Sequence, residues 1–211
     1  MWFADQVNNK ANTFAGKTVK LAADIDLAGI DWIPVGQTGG YTTKAAFRGV
    51  FDGADHTISN LTVTHHEVGS NLGKNYASGF FGFTDSSITV KNLTFDKANV
   101  SGHHWVGVIY GYLSGNIVNC KVTNSTVTCT HLNDESCGDK AGAVVGYINT
   151  GLVSKTIAEN CTVKAGRDCG QIAGASRTEY VNECSANNVT VEATGDCTGN
   201  NVRNELIGRI M

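Results

Sequence analysis

Five of the six histidines fall in three clusters, His65-His66, His103-His104 and His131, each just after a short apolar segment, and Trp105 follows the middle pair. Imidazoles gathered on one edge beside an indole could bind a glycan or a partner protein, or ligate a metal. No Cys-x-x-Cys spacing accompanies them, so no metal ligand and no cofactor is assigned, and His and Asn also suit exposed turns. Asp24, Asp26, Asp52 and Asp55 are the carboxylates to consider for glycoside cleavage, which needs a general acid and a base or nucleophile at a set distance. They do not recur along the chain, and Phe51-Asp52-Gly53-Ala54-Asp55-His56 reads as a turn. No catalytic residue is expected.

Seven cysteines divide in two groups. Cys120, Cys161 and Cys184 occupy the repeat position held elsewhere by Leu61 and Leu93, which predicts a buried core stack. Cys129 and Cys137 bracket a loop, and Cys169 and Cys197 recur as Asp-Cys-Gly and Asp-Cys-Thr; pairing within each couple is open, and an odd total leaves at least one thiol over.

The elements that must position these groups are short strands. The chain has 25 Gly and one proline, Pro34, a composition for many strands and tight turns. Its net charge is -3 without a basic run, which argues against nucleic acid. The apolar runs are too short and interrupted for a membrane-spanning helix, and no basic-then-apolar leader precedes Trp2-Phe3-Ala4.

A repeat organises the rest. One half reads GFFGF (79–83), GVIYGY (107–112), GAVVGY (142–147) and GQIAGA (170–175), with GVFDG (49–53) and LIGRI (206–210) as divergent ends. The other reads ISNLTV (58–63), VKNLTF (90–95), IVNCKV (117–122), AENCTV (158–163) and NECSA (182–186). Aligned on the asparagine, copies start at Asn60, Asn92, Asn119 and Asn160, then Glu183, and the period drifts. Fixed strands with loops of variable length explain such drift. A third strand per coil is expected at 98–100, 125–127 and 189–191. The expected fold is all-β: one right-handed parallel β-helix of about six or seven coils over residues 17–211, with residues 1–16 as a cap whose helix turns Trp2, Phe3, Gln6 and Val7 inward.

Within each half-unit the apolar residues alternate and the asparagine interrupts them. An asparagine tolerates left-handed backbone and can bond its counterpart one coil away, so Asn60, Asn92, Asn119 and Asn160 are expected to form one corner ladder. The matches of Asn60, Asn92 and Asn160 to a glycosylation acceptor pattern follow from that recurrence. The glycines are expected at tight turns, because a membrane dimer motif of the same spelling needs a long apolar helix.

These glycine units resemble the GLUG repeat of bacterial surface proteins and immunoglobulin-A-protease-like proteins. KTVKLAADIDLAGIDWIPVGQ (17–37) and FRGVFDGADHTISNLTV (47–63) look like the entry region ahead of such repeats. The resemblance covers nearly the whole chain and implies a right-handed parallel β-helix on an exported or surface protein, as part of a longer one, with no shared active site.

The expectation is therefore a non-enzymatic module at the cell surface, presenting edge loops that carry His65, His66, His103, His104, Trp105 and His131 to a glycan or host protein. A polysaccharide-cleaving lyase or glycoside hydrolase and a structural spacer are the alternatives. Leu206–Ile210 ends the repeats without a visible cap, so end-to-end association there is also expected.

Overall fold

The computed structural model describes residues 2–36, 46–64, 77–83, 88–130, 140–177 and 181–193. Its strands pair only in parallel, and the chain visits the same sheet positions in the same order on every circuit. On the first face Thr18–Lys20, Val50–Asp52, the opening of Ile88–Asp96, the middle of Tyr110–Thr123, the end of Val145–Ser154 and Val181–Asn182 stack in sequence. These six strands mark six successive turns of a parallel β-helix. The right-handed sense is the one that twisted strands adopt in nearly every parallel crossover.

Alternation builds the core. Val19, Phe51, Val90, Ile117, Val153 and Val181 form one column on the first face. Ile25, Ile58, Phe95, Val122, Ala158 and Ala186 do so on the second. Val63, Val100, Val127, Val163 and Val191 line the third, where the expected third strand of each coil is present. Between circuits the chain crosses a four-stranded sheet, Ala77–Ser78, Trp105–Val106, Lys140–Gly142 and Asp168–Gly170. It then folds back through Phe81–Phe83, the start of Tyr110–Thr123, the start of Val145–Ser154 and Ala173–Ser176.

That fold-back explains the paired glycines, and the reason differs from the turn geometry expected. A Cβ on Gly107 would lie 2.6 Å from the Tyr110 carbonyl oxygen and 2.7 Å from Gly146 N, and one on Gly174 would lie 2.6 Å from Ala141 N. The two layers touch backbone to backbone, so the position excludes any side chain. GVFDG does not belong to this set, because Val50–Asp52 stands on the first face. LIGRI, and with it the proposed association at Ile207 and Ile210, lies outside the described residues.

The asparagines also redistribute. Each of the five coils after the first has two left-handed corners, five residues apart: Asp55 and Asn60, Asn92 and Lys97, Asn119 and Asn124, Lys155 and Asn160, Glu183 and Asn188. Asn92 and Asn119 sit at the corner between the first and second faces, Asn60 and Asn160 at the corner between the second and third. The single ladder expected from sequence is therefore two. Asn119 Nδ2 donates to Asn92 Oδ1 at 2.9 Å, and Asn92 Nδ2 to Asp52 Oδ1 at 3.0 Å. On the other corner Asn188 donates to Asn160 (2.8 Å), Asn160 to Asn124 (3.4 Å) and Asn124 to Asp96 (2.7 Å), while Asn60 donates to Asp26 (2.7 Å). Every amide donates toward the N-terminal end, and each ladder terminates on a carboxylate.

The residue after the corner divides likewise. Leu93, Cys120, Thr156 and Cys184 follow the first corner; Leu61, Ala98, Ser125, Cys161 and Val189 follow the second. All of these but Val189 are buried. Cys120, Cys161 and Cys184 donate to the carbonyl two residues back, as do the hydroxyls of Ser125 and Thr156. The stack is thus more than apolar filling: where the side chain can donate, it satisfies a carbonyl turned inward at the corner.

The helix Trp2–Asn8 closes the N-terminal end of the core. Phe3 packs on Phe47, Phe51 and Phe81 with ring centroids 5.1, 5.3 and 6.2 Å away. Ala4 and Val7 are buried beside it, whereas Trp2 is 66% exposed, which corrects the expected apolar face. Asn8 bonds Gly36 N and the Pro34 carbonyl, fixing the helix to the first turn. Among the described residues no helix is long and apolar enough to cross a membrane.

Candidate functional site

The crossover from the third face to the four-stranded sheet takes only His103 and His104. A bend that short turns one side chain in and the other out. His103 is buried, its carbonyl accepting from the Cys129 thiol, and His104 is half-buried with its ring 4.5 Å from that of His103. His103 is therefore no edge residue. His65, His66 and His131 lie outside the described residues, and among those described no three His, Cys, Asp or Glu side chains converge on a metal-sized site.

The carboxylates hold turns and corners. Asp24 accepts from Thr57 N and lies 3.0 Å from His56 Nδ1; those two contacts, in that order, hold its carboxyl below the usual range. Asp26 accepts from Asn60 and Ala28 N, and Asp52 from Ala54 N and Asn92. Asp55 is a left-handed corner residue. Cys120, Cys161, Cys169 and Cys184 are buried free thiols. Burial pushes Cys120 and Cys169 up to about 12, which leaves the nucleophilic thiolate negligible at neutral pH. Cys137 and Cys197 lie outside the described residues.

Trp105 joins an aromatic surface, in company that the histidine pattern did not indicate. The residue after the second glycine of each unit is Phe83, Tyr112, Tyr147 and then Ala175, and register places these four in one column, Phe83 buried and the other three half-buried. Phe83 stacks on Tyr112 at 4.5 Å and 24°, and Tyr112 meets Tyr147 at 5.4 Å. Trp105 lies alongside, 5.0 Å from Tyr112, 5.5 Å from Phe83 and 6.3 Å from Tyr147. It belongs to a second column, Ala77, Trp105, Lys140 and Asp168. Within it Lys140 Nζ bonds Asp168 Oδ2 at 2.8 Å and stands 5.9 Å from the Tyr147 ring centroid.

On the other flank of the rings Ser114, Asn149 and Arg177 meet, two residues further along the strands of Tyr112, Tyr147 and Ala175, although a register shift after Leu113 sets Ser114 opposite Thr150. Asn149 Nδ2 donates to Ser114 Oγ at 3.2 Å, and Arg177 Nη1 donates to Asn149 Oδ1 at 3.3 Å. The result is an aromatic strip parallel to the coil axis with hydrogen-bonding groups on both sides. Trp105, Tyr112 and Tyr147 are half-buried, so an apolar body is fixed while part of each ring stays open. Such a surface suits a ligand with alternating apolar and hydroxylated faces. The sequence carried a signal for it: GFFGF, GVIYGY and GAVVGY each end on an aromatic residue.

The sequence is 32% identical over 146 residues, 66% of this chain, to halomucin of Haloquadratum walsbyi. The matched stretch is 2% of halomucin, so this chain spans a very small part of that relative's length. Among solved structures, that of a Bacteroides ovatus protein named as a candidate immunoglobulin A1 protease aligns with 96% of this chain and 78% of its own, at 21% identity and a TM-score of 0.46. No family profile matches the chain.

Proposed function

We propose that this chain is a non-enzymatic β-helix segment of a GLUG-type surface protein, and that it binds a glycan on the strip formed by Phe83, Trp105, Tyr112 and Tyr147. The observation that carries the reading is the placement of polar groups on both flanks of the rings. Pyranose rings offer apolar C–H faces to aromatics and hydroxyls to flanking amides and charges. Surface location is supported by the glycine-unit resemblance and by the similarity to a protein bearing a mucin name. The involvement of Asp24, Asp26 and Asp52 in turn and corner hydrogen bonds favours binding over cleavage.

The test is affinity electrophoresis in gels containing xylan, mixed-linkage β-glucan, homogalacturonan or hyaluronan, with a parallel assay for new reducing ends. Retardation without new reducing ends, weakened in Trp105→Ala, is the expected result. New reducing ends would establish a cleaving enzyme instead. Unretarded migration in every gel would leave the structural spacer and sink the binding reading.

A further inference from the structure

We infer that the Nζ of Lys140 and the side-chain carboxyl of Asp168 condense to an amide, a covalent staple between two successive coils. The two residues are direct partners on neighbouring parallel strands, and Nζ already bonds Asp168 Oδ2 at 2.8 Å. A nitrogen so placed lies about 3.5 Å from the carboxyl carbon, within the range of a near-attack arrangement. The pair is also enclosed. The Lys140 side chain is 19% exposed and that of Asp168 10%, with Trp105 next in the same column and the Tyr147 ring centroid 5.9 Å from Nζ. In Lys91–Asp52, Lys121–Glu159 and Lys164–Glu192 the lysine is 40% exposed or more, so water solvates its charge. Two enclosed charges lack that solvation, and their conversion to a neutral amide removes the cost.

The step balances within the pair. A proton passes from Nζ to Oδ2 along the existing hydrogen bond, leaving an amine and a carboxylic acid. The amine lone pair attacks Cγ, the C–N bond forms, and the π electrons of the carboxyl move onto Oδ1. Arg167 Nε stands 3.9 Å from Oδ1, so a fixed cation faces the oxygen on which negative charge develops. A second proton then moves from the nitrogen to Oδ2, the C–Oδ2 bond breaks, Oδ1 returns to a carbonyl and one water leaves. No oxidant or co-reactant is needed. The bond ties residues 28 apart in the chain and so restricts the unfolded state. The amide keeps an N–H on the flank of the rings, so the glycan-binding reading stands or falls separately.

The electrospray mass of the purified full chain, denatured and reduced, should lie about 18 Da, one water, below the mass of its sequence, and digestion should yield a branched peptide joining Lys140 to Asp168. The full sequence mass, or a deficit that maps to other residues, would overturn the staple. Lys140→Ala and Asp168→Ala should each restore the full mass, and a deficit persisting in either would overturn it equally. In a time course of cell-free synthesis, Arg167→Gln should slow the appearance of the branched peptide about tenfold. An unchanged rate would overturn the part assigned to Arg167.

Discussion

Asn124 donates its amide to the Asp96 carboxylate at 2.7 Å, and so closes a chain of amides that begins two coils later at Asn188. The amides all point one way, so their dipoles add and leave the positive end at the carboxylate. Asp52 closes the other ladder in the same manner. The arrangement resembles a helix N-terminus satisfied by an acidic residue.

Acid should therefore loosen the stack. For both Asp52 and Asp96 burial alone would raise the carboxyl pKa; hydrogen bonds, from Ala54 N, Asn92 and Lys91 to Asp52 and from Asn124 and Thr123 to Asp96, outweigh it and hold both below the ordinary value. A group depressed in the folded state contributes stability above its unfolded pKa of about 3.9 and loses it as pH falls through the folded value. Melting temperature should accordingly drop below about pH 4. Asp52→Asn with Asp96→Asn should flatten that slope, and a slope unchanged in the double variant would contradict the account.

The glycines separate into two kinds with different costs. Gly146→Ala and Gly174→Ala should each destabilise by about 2–3 kcal/mol, because the new Cβ meets backbone that cannot yield. Gly29→Ala, at φ +77° with open space around it, should cost only the left-handed strain of about 1 kcal/mol. Urea unfolding midpoints rank the three.

At the corners, chemistry rather than apolarity decides. Cys120→Ser and Cys161→Ser should stay within about 1 kcal/mol, since Ser125 and Thr156 already make the same bond to the carbonyl two residues back. Native thiols should also be silent to Ellman's reagent at pH 8 for Cys120 and Cys169, and react once guanidinium unfolds the chain.

At the cap, neighbouring aromatics should behave oppositely. Phe3→Ala removes a ring enclosed by Phe47, Phe51 and Phe81 and should cost about 3 kcal/mol or more. Trp2→Ala should cost well under about 1 kcal/mol, because most of that side chain is already in water. Thermal melts of the two variants decide it.

The fold was legible because stacking imposes a pattern at every coil: alternation at 98–100, 125–127 and 189–191 marked the third face. The coil boundaries were not, because each coil repeats the corner motif twice. Asn60 and Asn92 look alike in sequence while occupying different corners, and stepping between them mixed two series. Taken separately, both corners advance by the same 27, 36 and 28 residues. Inward and outward alternation fails at bends, which is why His103 read as exposed. Among the described site residues, Trp105 was found from its neighbours in sequence. Phe83, Tyr112 and Tyr147 were passed over because they complete a glycine unit whose regularity suggested scaffold alone.

The five-residue interval between the two corners has a bearing on how such a molecule lengthens. All variation in circuit length falls in the remaining arc, so a duplicated segment cut anywhere in that arc returns with both corners in phase. A gene can therefore add or lose a whole circuit without redesigning its neighbours. A circuit that keeps an aromatic residue after its second glycine also extends the ring column, as those of Tyr112 and Tyr147 do.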